Sequence, residues 1–356
     1  MTLTIDKNAP VLISAENGLM TLTLNRPKAI NSLNLEMIQS MQKAMDEAAR
    51  SSEVRLVLIR GEGEKGFCAG ADVKAASQAV AEGRKDEAMR FFIEEYALDL
   101  SIHRFPKPVV VLAHGITMGG GLGLAAGADL VLVTETTRMA MPETRIGFFP
   151  DVGATGWLFQ KCPEGYAEYL TLTGYEVEGS ECVRLGLAHD IMDGSRITEA
   201  REILQNLSLE PGIEKSRSVR KIHQALSSML KGKDFPDVRD EDLWVRENFS
   251  GRESVSEIIL SLSRSKTMPD RCEAALKQFS DRSPTAAVLT LSLLRQNQNQ
   301  SLEQVFRLET SATRFIISHP DYREGVRARL VDKDNQPEWQ PDRLDQVTLP
   351  ELDPGL

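Results

Sequence analysis

Cysteine is scarce in this chain: Cys68, Cys162, Cys182 and Cys272 are scattered through 356 residues, with no C-x-x-C pair. That spacing excludes a disulfide scaffold of the secreted kind and a paired-cysteine zinc site, and predicts four reduced thiols. Histidine is also sparse. His103, His114, His189, His223 and His319 form no H-E-x-x-H pattern, and no G-x-S-x-G elbow is present. Metal-assisted hydrolysis and serine-triad chemistry therefore lose support, no metal site is expected, and His114 is expected to be a structural hydrogen-bonding group at a strand end. No apolar run approaches the ~20 residues that span a bilayer. The N-terminal MTLTIDKNAP has neither the basic-then-apolar order of a signal peptide nor the arginines of a transit peptide, so the expected compartment is the cytoplasm. Basic residues are outnumbered, 42 Lys and Arg against 52 Asp and Glu, for a net charge of -10. Such a balance argues against nucleic-acid or membrane partners, although a local basic patch can still hold a small phosphorylated ligand.

With 41% hydrophobic and 26% charged residues, the chain suits one large globular domain with an appendage, or two domains. Val11 to Ala15 and Leu19 to Leu24 flank Asn17-Gly18 and predict a hairpin. Leu35, Met37, Ile38, Met41 and Met45 predict a helix, Arg55 to Arg60 a buried strand, and Gly61 to Gly70 a loop. Val73 to Phe105 reads as helical, Pro108 to Leu112 and Asp129 to Thr134 as strands, and Gly156 to Met192 as helices punctuated by glycine. Beyond about Asp193 strand signals vanish and helical spacing dominates. Strands and helices alternate first, then helices alone, which is an α/β core followed by a helical region.

The stretch from Ala113 to Thr155 organises the rest. Gly119, Gly120 and Gly121 follow strand-like residues and precede the small, apolar Leu122 to Ala126. A strand that breaks at glycines and restarts as a helix leaves main-chain N–H groups unpaired and pointing one way, which suits an anion. Glu143 (in MPET) and Asp151 (in FPDVG) come next, each beside a proline and among Met141, Ile146, Phe148, Phe149 and Val152. Poorly hydrated carboxylates have raised pKa values and can act as base or nucleophile. Donors facing carboxylates in an apolar loop are the parts that acyl chemistry requires.

Bland readings compete with each of these. Gly61-Glu-Gly63-Glu-Lys-Gly66 matches G-x-G-x-x-G, but its acidic residues repel a pyrophosphate and no helix opens at the right place, so an ordinary loop is expected. Phe67 to Asp72 is rich in small residues: it either packs tightly or presents the Ala71 N–H as a second donor. The glycine triplet could equally serve close helix packing, and Glu95 in FFIEEYALDL could sit on a solvated helix face.

Together, NRPKAINSLN, FCAGADVK, AHGITMGGGLGL and MPETRIGFFPDVGAT resemble the crotonase (enoyl-CoA hydratase/isomerase) superfamily. FFIEEYALDLSIHRFPKP, YLTLTGYEVEG, SPTAAVLT and DYREGVRARLVDKDNQPEW add a closer likeness to its 3-hydroxyisobutyryl-CoA hydrolase branch, from about residue 11 to 340. The resemblance implies an α/β fold: a ββα spiral core over 1–195 with the acyl-CoA site, a helical region over 196–340, and a peripheral tail over 341–356. It implies an oxyanion hole from the N–H groups of Ala71 and Gly120, with CoA along Arg26 to Ala29 (Lys28 included), Ala69, Ala71, Asp72, Val73, Lys74 and the C-terminal Lys333. Hydratases of the superfamily carry a glutamate where this chain has Gly123, and that position favours the hydrolase branch, whose substrate-site pattern matches Glu95, Gly120, Glu143 and Asp151. Ala71 stands where the branch usually has glycine, a change a backbone donor survives. The implied activity is hydrolysis of a short 3-hydroxyacyl-CoA, 3-hydroxyisobutyryl-CoA of valine catabolism foremost, with Glu143 and Asp151 catalytic and no cofactor beyond the CoA of the substrate. Glu143 as nucleophile and Glu143 as general base stay open. Enoyl-CoA hydration, an idle acyl-CoA-binding protein and, more distantly, a nicotinamide oxidoreductase are the alternatives. Members of the superfamily often form trimers or hexamers, so a homo-oligomer is possible, although the helical C-terminal part could cover that surface.

Overall fold

A computed structural model describes residues 8–210, 212–232 and 239–353. The expectations for the first seven residues and for 354–356 of the tail lie outside the described residues. The chain packs into two compact units that alternate in sequence: residues 8–71, 97–139 and 177–232 form one, and 72–96, 140–176 and 239–353 the other.

The first unit carries the strands: β1 (Val11–Glu16), β2 (Leu19–Leu24), β3 (Leu56–Gly61), β4 (Val109–Ala113), β5 (Ile116–Met118), β6 (Leu130–Thr134), β7 (Arg138–Ala140), β8 (Val177–Glu178) and β9 (Asp190–Met192). One sheet has the order β1-β2-β3-β4-β6-β9 and a second the order β5-β7-β8. The β1–β2 hairpin is antiparallel and turns through Asn17 and Gly18, whose φ values are 52° and 88°. Asn-Gly tolerates that left-handed backbone, so the turn twists with its strands. The remaining pairs of the large sheet are parallel, Leu22 opposite Ile59 and Val111 opposite Val131. VVVLA of β4 and LVLVT of β6 are buried throughout, the continuous apolar run expected of strands covered on both faces. Leu58, Leu112 and Leu132 pack with Leu204, Ile222 and Leu226 from the helices Ile197–Asn206 and Lys215–Leu226.

The second unit is helical. Its helices include Val73–Ala81, Ala154–Lys161, Tyr166–Thr173, Pro284–Asn297, Leu302–Ile316 and Pro320–Val326. Ser283 and Ser301 cap two of them, each side chain accepting an N–H three residues on, which satisfies a donor that the first turn leaves orphaned.

Three local expectations change. The helical stretch Val73 to Phe105 is two helices, Val73–Ala81 and Lys85–His103, separated at Gly83 with φ 77°. Residues 156–192 also contain β8 and β9, which at two and three residues are too short to show periodicity. The strand that runs into the glycine triplet is β5, after a turn at Gly115 with φ 52°, rather than the Pro108 strand directly. Among the described residues no helix is long and apolar enough to cross a membrane.

Candidate functional site

In the strand-bearing unit, the two candidate oxyanion donors lie on neighbouring strips of main chain. Gly70 has φ 94°, and a Cβ on it would stand 3.0 Å from Met118 O and 3.3 Å from Gly120 N. The segment before Ala71 thus rests against the segment that opens the helix Gly120–Ala126. Leu122 N and Gly123 N both donate to Gly119 O, at 2.8 and 3.0 Å, whereas Gly120, as the first helical residue, has no carbonyl one turn back within its helix. No acceptor for the Ala71 N–H is found among the described residues. Close packing is real too, because a Cβ on Gly121 would meet Cys68 O at 2.4 Å. Gly121 therefore permits the approach, which sets the candidate donor Gly120 beside the segment that leads into Ala71.

The strip from Phe67 to Ala71 is pinned to NRPKAINSLN by Leu33 N to Gly70 O (2.8 Å) and Ala69 N to Ile30 O (2.9 Å). Asn31, fully buried with φ 55°, locks that motif: its Nδ2 donates to Glu62 O (2.9 Å) and Gly66 O (3.0 Å), and its Oδ1 accepts from Arg26 N (2.9 Å). Lys28 and Ala69 are exposed. The G-x-G-x-x-G loop is packing geometry, since Cβ atoms at Gly61 and Gly66 would each stand 2.5 Å from main-chain atoms of Phe67 and Ile116. His114 sits just past β4 with Nε2 2.7 Å from Gly63 O, a structural contact.

In the helical unit the carboxylates are buried. Glu143 opens a 3-10 turn, Glu143–Ile146, and is 9% exposed. Its Oε2 has no hydrogen-bond partner among the described residues. The turn is held by main-chain contact: Cβ atoms at Gly147 and Gly325 would meet Asp321 O at 2.2 Å and Ile146 C at 2.3 Å. Burial, and then the charge of Asp151, push the Glu143 carboxyl well above the usual range. Asp151 is 5% exposed and precedes a left-handed pair, Val152 (φ 51°) and Gly153 (φ 79°). The Tyr96 hydroxyl oxygen lies 2.8 Å from Asp151 Oδ2 and 2.9 Å from Thr313 Oγ1. Burial raises Asp151 to about 7, and a hydrogen donated by Tyr96 to the carboxylate would oppose that rise.

Glu95 is 1% exposed, on the same helix as Phe91, Phe92 and Tyr96. It is not on a solvated face, and its charge, with that of Asp151, reaches the buried Tyr322 phenol. Phe148 stacks on Phe92 and Phe149 with centroids 5.2 and 4.8 Å apart and tilts against Tyr322 at 5.6 Å, keeping the surroundings of these acids dry. Val73 and Lys74 begin the helix Val73–Ala81, with Asp72 at its N-cap. Lys74 lines an open groove of about 690 Å³ with Gln78, Arg323 and Arg327. Lys333 is exposed, with φ 60°.

Sequence reasoning missed Tyr96, Thr313, Glu309 and Asn31. Glu309 accepts from Gly153 N (2.7 Å), Thr155 Oγ1 (2.6 Å) and Thr155 N (3.4 Å), tying down the turn after Asp151. Burial raises it to about 8, with the Thr155 bond opposing and the Asp151 charge adding. The one available signal was a Glu and a Thr four residues apart on the apolar face of Leu302–Ile316, where only buried residues occur.

A family model for enoyl-CoA hydratase/isomerase matches residues 19–354. The chain belongs to this family. It is 35% identical over 348 residues to the mitochondrial 3-hydroxyisobutyryl-CoA hydrolase of Gallus gallus (96% of this chain, 87% of that one). The Homo sapiens protein of the same name is 34% identical over 350 residues (98% and 88%). Within the enoyl-CoA hydratase/isomerase family, the chain thus falls in the 3-hydroxyisobutyryl-CoA hydrolase branch. Among solved structures, a carnitinyl-CoA dehydratase from Mycobacterium thermoresistibile is 36% identical with a TM-score of 0.85, covering 96% of this chain and 94% of that one. An enoyl-CoA hydratase from Rhodobacter sphaeroides is 28% identical with a TM-score of 0.80, covering 95% and 94%. The fold is accordingly the crotonase type, a spiral core with a helical C-terminal region.

Proposed function

We propose that this enoyl-CoA hydratase/isomerase family member is an acyl-CoA thioester hydrolase acting on a short 3-hydroxyacyl-CoA, 3-hydroxyisobutyryl-CoA foremost, and releasing 3-hydroxyisobutyrate and CoA as a step of valine catabolism. The observation that carries the reading is the pair of buried acids, Glu143 and Asp151, in a chain that has Gly123 where hydratases keep a glutamate. Adding water across a double bond needs two positioned acid–base groups, each worth ~10²–10⁴-fold, and one of those positions is empty of any side chain. The named relatives agree with this choice.

In the proposed mechanism the thioester oxygen accepts from the N–H groups of Ala71 and Gly120, and each such donor is worth ~2.7–4 kcal/mol of barrier. Glu143 attacks the carbonyl to give a mixed anhydride, or takes a proton from an attacking water; both routes need its carboxylate form. Asp151 orients the 3-hydroxyl or assists the base, and Glu95 lines the acyl end. The segments Arg26 to Ala29 (with Lys28) and Ala69 to Lys74 (Ala71, Asp72 and Val73 among them), with Lys333, hold CoA, whose phosphates the lysines neutralise. Nothing beyond the CoA of the substrate is required as a cofactor.

The deciding assay is free thiol release from short 3-hydroxyacyl-CoA esters beside acetyl-CoA and crotonyl-CoA. Rapid release confined to the 3-hydroxyacyl esters is expected. Hydration of crotonyl-CoA without thiol release would instead favour the second reading, which the solved dehydratase and hydratase relatives keep in view. Four free cysteines, three of them buried, suit a reducing compartment. We place the protein in the cytoplasm, while the vertebrate relatives are named mitochondrial, so fractionation of the producing cell is the test. A homo-oligomer belongs to the same proposal, and sedimentation measures it.

A further inference from the structure

The hydroxyls around Asp151 form a chain whose hydrogens can be counted. Three short contacts run in series within the helical unit: Asp151 Oδ2 to Tyr96 Oη (2.8 Å), Tyr96 Oη to Thr313 Oγ1 (2.9 Å), and Thr313 Oγ1 to Glu309 O (2.8 Å). A tyrosine and a threonine hydroxyl bring one hydrogen each, and a main-chain carbonyl brings none. If Asp151 is a carboxylate, two hydrogens must serve three contacts, and one contact becomes a pair of facing lone pairs. A third hydrogen on Asp151 Oδ2 completes the chain: Asp151 donates to Tyr96, Tyr96 to Thr313, and Thr313 to the Glu309 carbonyl.

We propose that Tyr96 and Thr313 are positioning residues that hold Asp151 as a neutral carboxylic acid in the resting protein. The titratable groups that face Asp151 supply no positive charge to favour its carboxylate form. They are Tyr96 from Lys85–His103, Glu143 from its 3-10 turn, Glu309 from Leu302–Ile316 and Tyr322 from Pro320–Val326, none of them a cation. Tyr96 is buried, 3% exposed, with its ring centroid 5.6 Å from that of Phe306. A low-dielectric site disfavours two neighbouring carboxylates, and burial raises Asp151 to about 7. The consequence rests on the proposed hydrolase mechanism: a neutral Asp151 removes the second of the two influences that raise the Glu143 carboxyl, leaving burial alone, and so favours the carboxylate form that attack or proton acceptance needs.

The test is infrared difference spectroscopy of the full-length protein against its Asp151→Asn variant, followed through a pH titration. A protonated-acid carbonyl band that disappears in Asp151→Asn, and persists from mildly acidic pH toward neutrality, is expected. The direction of its shift in two further variants separates positioning from simple packing. Tyr96→Phe removes the acceptor of the Asp151 hydrogen, and Thr313→Val removes the acceptor of the Tyr96 hydrogen. Both lower the titration midpoint if Asp151 is the donor. If Asp151 is a carboxylate stabilised by Tyr96, Tyr96→Phe raises the midpoint instead, and that result overturns the proposal. Absence of any Asp151-dependent acid band at mildly acidic pH also overturns it. Thr313→Val carries the test if Tyr96→Phe fails to fold. The readout is independent of turnover, so a protein that shows the band but releases no thiol refutes the hydrolase reading and leaves the protonation of Asp151 standing.

Discussion

The strand-bearing unit holds the proposed main-chain donors, and the helical unit holds the buried carboxylates. In the proposed mechanism Ala71 and Gly120 act through backbone, whose position follows from close approach at Gly70 and Gly121 and from the Asn31 lock. Glu143, Asp151 and Glu309 are only 9%, 5% and 0% exposed, and that burial raises the pKa of each. Main-chain donors tolerate a change of side chain but not a change of spacing. Buried acids tolerate neither loss of a partner nor a rise in pH. The contrast explains why an alanine can replace glycine at 71 while glycine is imposed at 121.

The largest break comes on the acidic side. Glu143→Ala is expected to abolish thiol release while leaving CoA affinity within a few-fold, as measured by titration calorimetry; substantial residual turnover would sink the assignment. On the backbone side, Gly121→Ala forces the Cys68 and Gly121 strips apart, since the new Cβ would fall 2.4 Å from Cys68 O. Turnover should fall ~10²–10³-fold, the range for losing one oxyanion donor. Stability should drop by about 1–3 kcal/mol, the usual cost of overpacking, and denaturant melts check it.

Smaller and of known sign is the pH response of stability. Asp151 and Glu309 have folded pKa values of about 7 and about 8, above those of the unfolded chain. The folded state therefore binds their protons more tightly. Their contribution is fully present below the ordinary carboxylate range, near pH ~4, and is lost as pH rises through about 7 to about 8. Melting temperature should decline across that window, and Glu309→Gln should flatten the decline; a melting temperature that climbs with pH there would contradict the buried neutral acids. Smallest of all is Ala71→Gly. The N–H remains, so activity should hold within about twofold while stability falls by ~0.5–1 kcal/mol from added chain entropy, read from urea midpoints and initial rates.

Much of this was legible in the chain. The Asn17-Gly18 hairpin, the apolar runs of β4 and β6, and the glycine triplet before a helix are local patterns that need only neighbours in sequence. Glu143 and Asp151 stood out because their apolar company is also local. Glu95 was ambiguous, since a helix alternates faces and nothing local tells which face is covered; the aromatic residues around its helix decided it. Tyr96, Thr313 and Glu309 carried no motif, because a hydrogen-bonded chain between residues 96, 151 and 313 exists only once distant segments meet.

The resemblance of short motifs carried the family, and composition, glycine spacing and the placement of two acids among apolar neighbours carried the α/β class and the candidate chemistry, because each is a short-range property of the chain. Tertiary packing alone decided how dry each acid is, which hydroxyls it meets and how far its pKa moves. Desolvation and hydrogen-bond partners are supplied by residues far away in sequence, here the helix Leu302–Ile316 for both Asp151 and the turn that follows it.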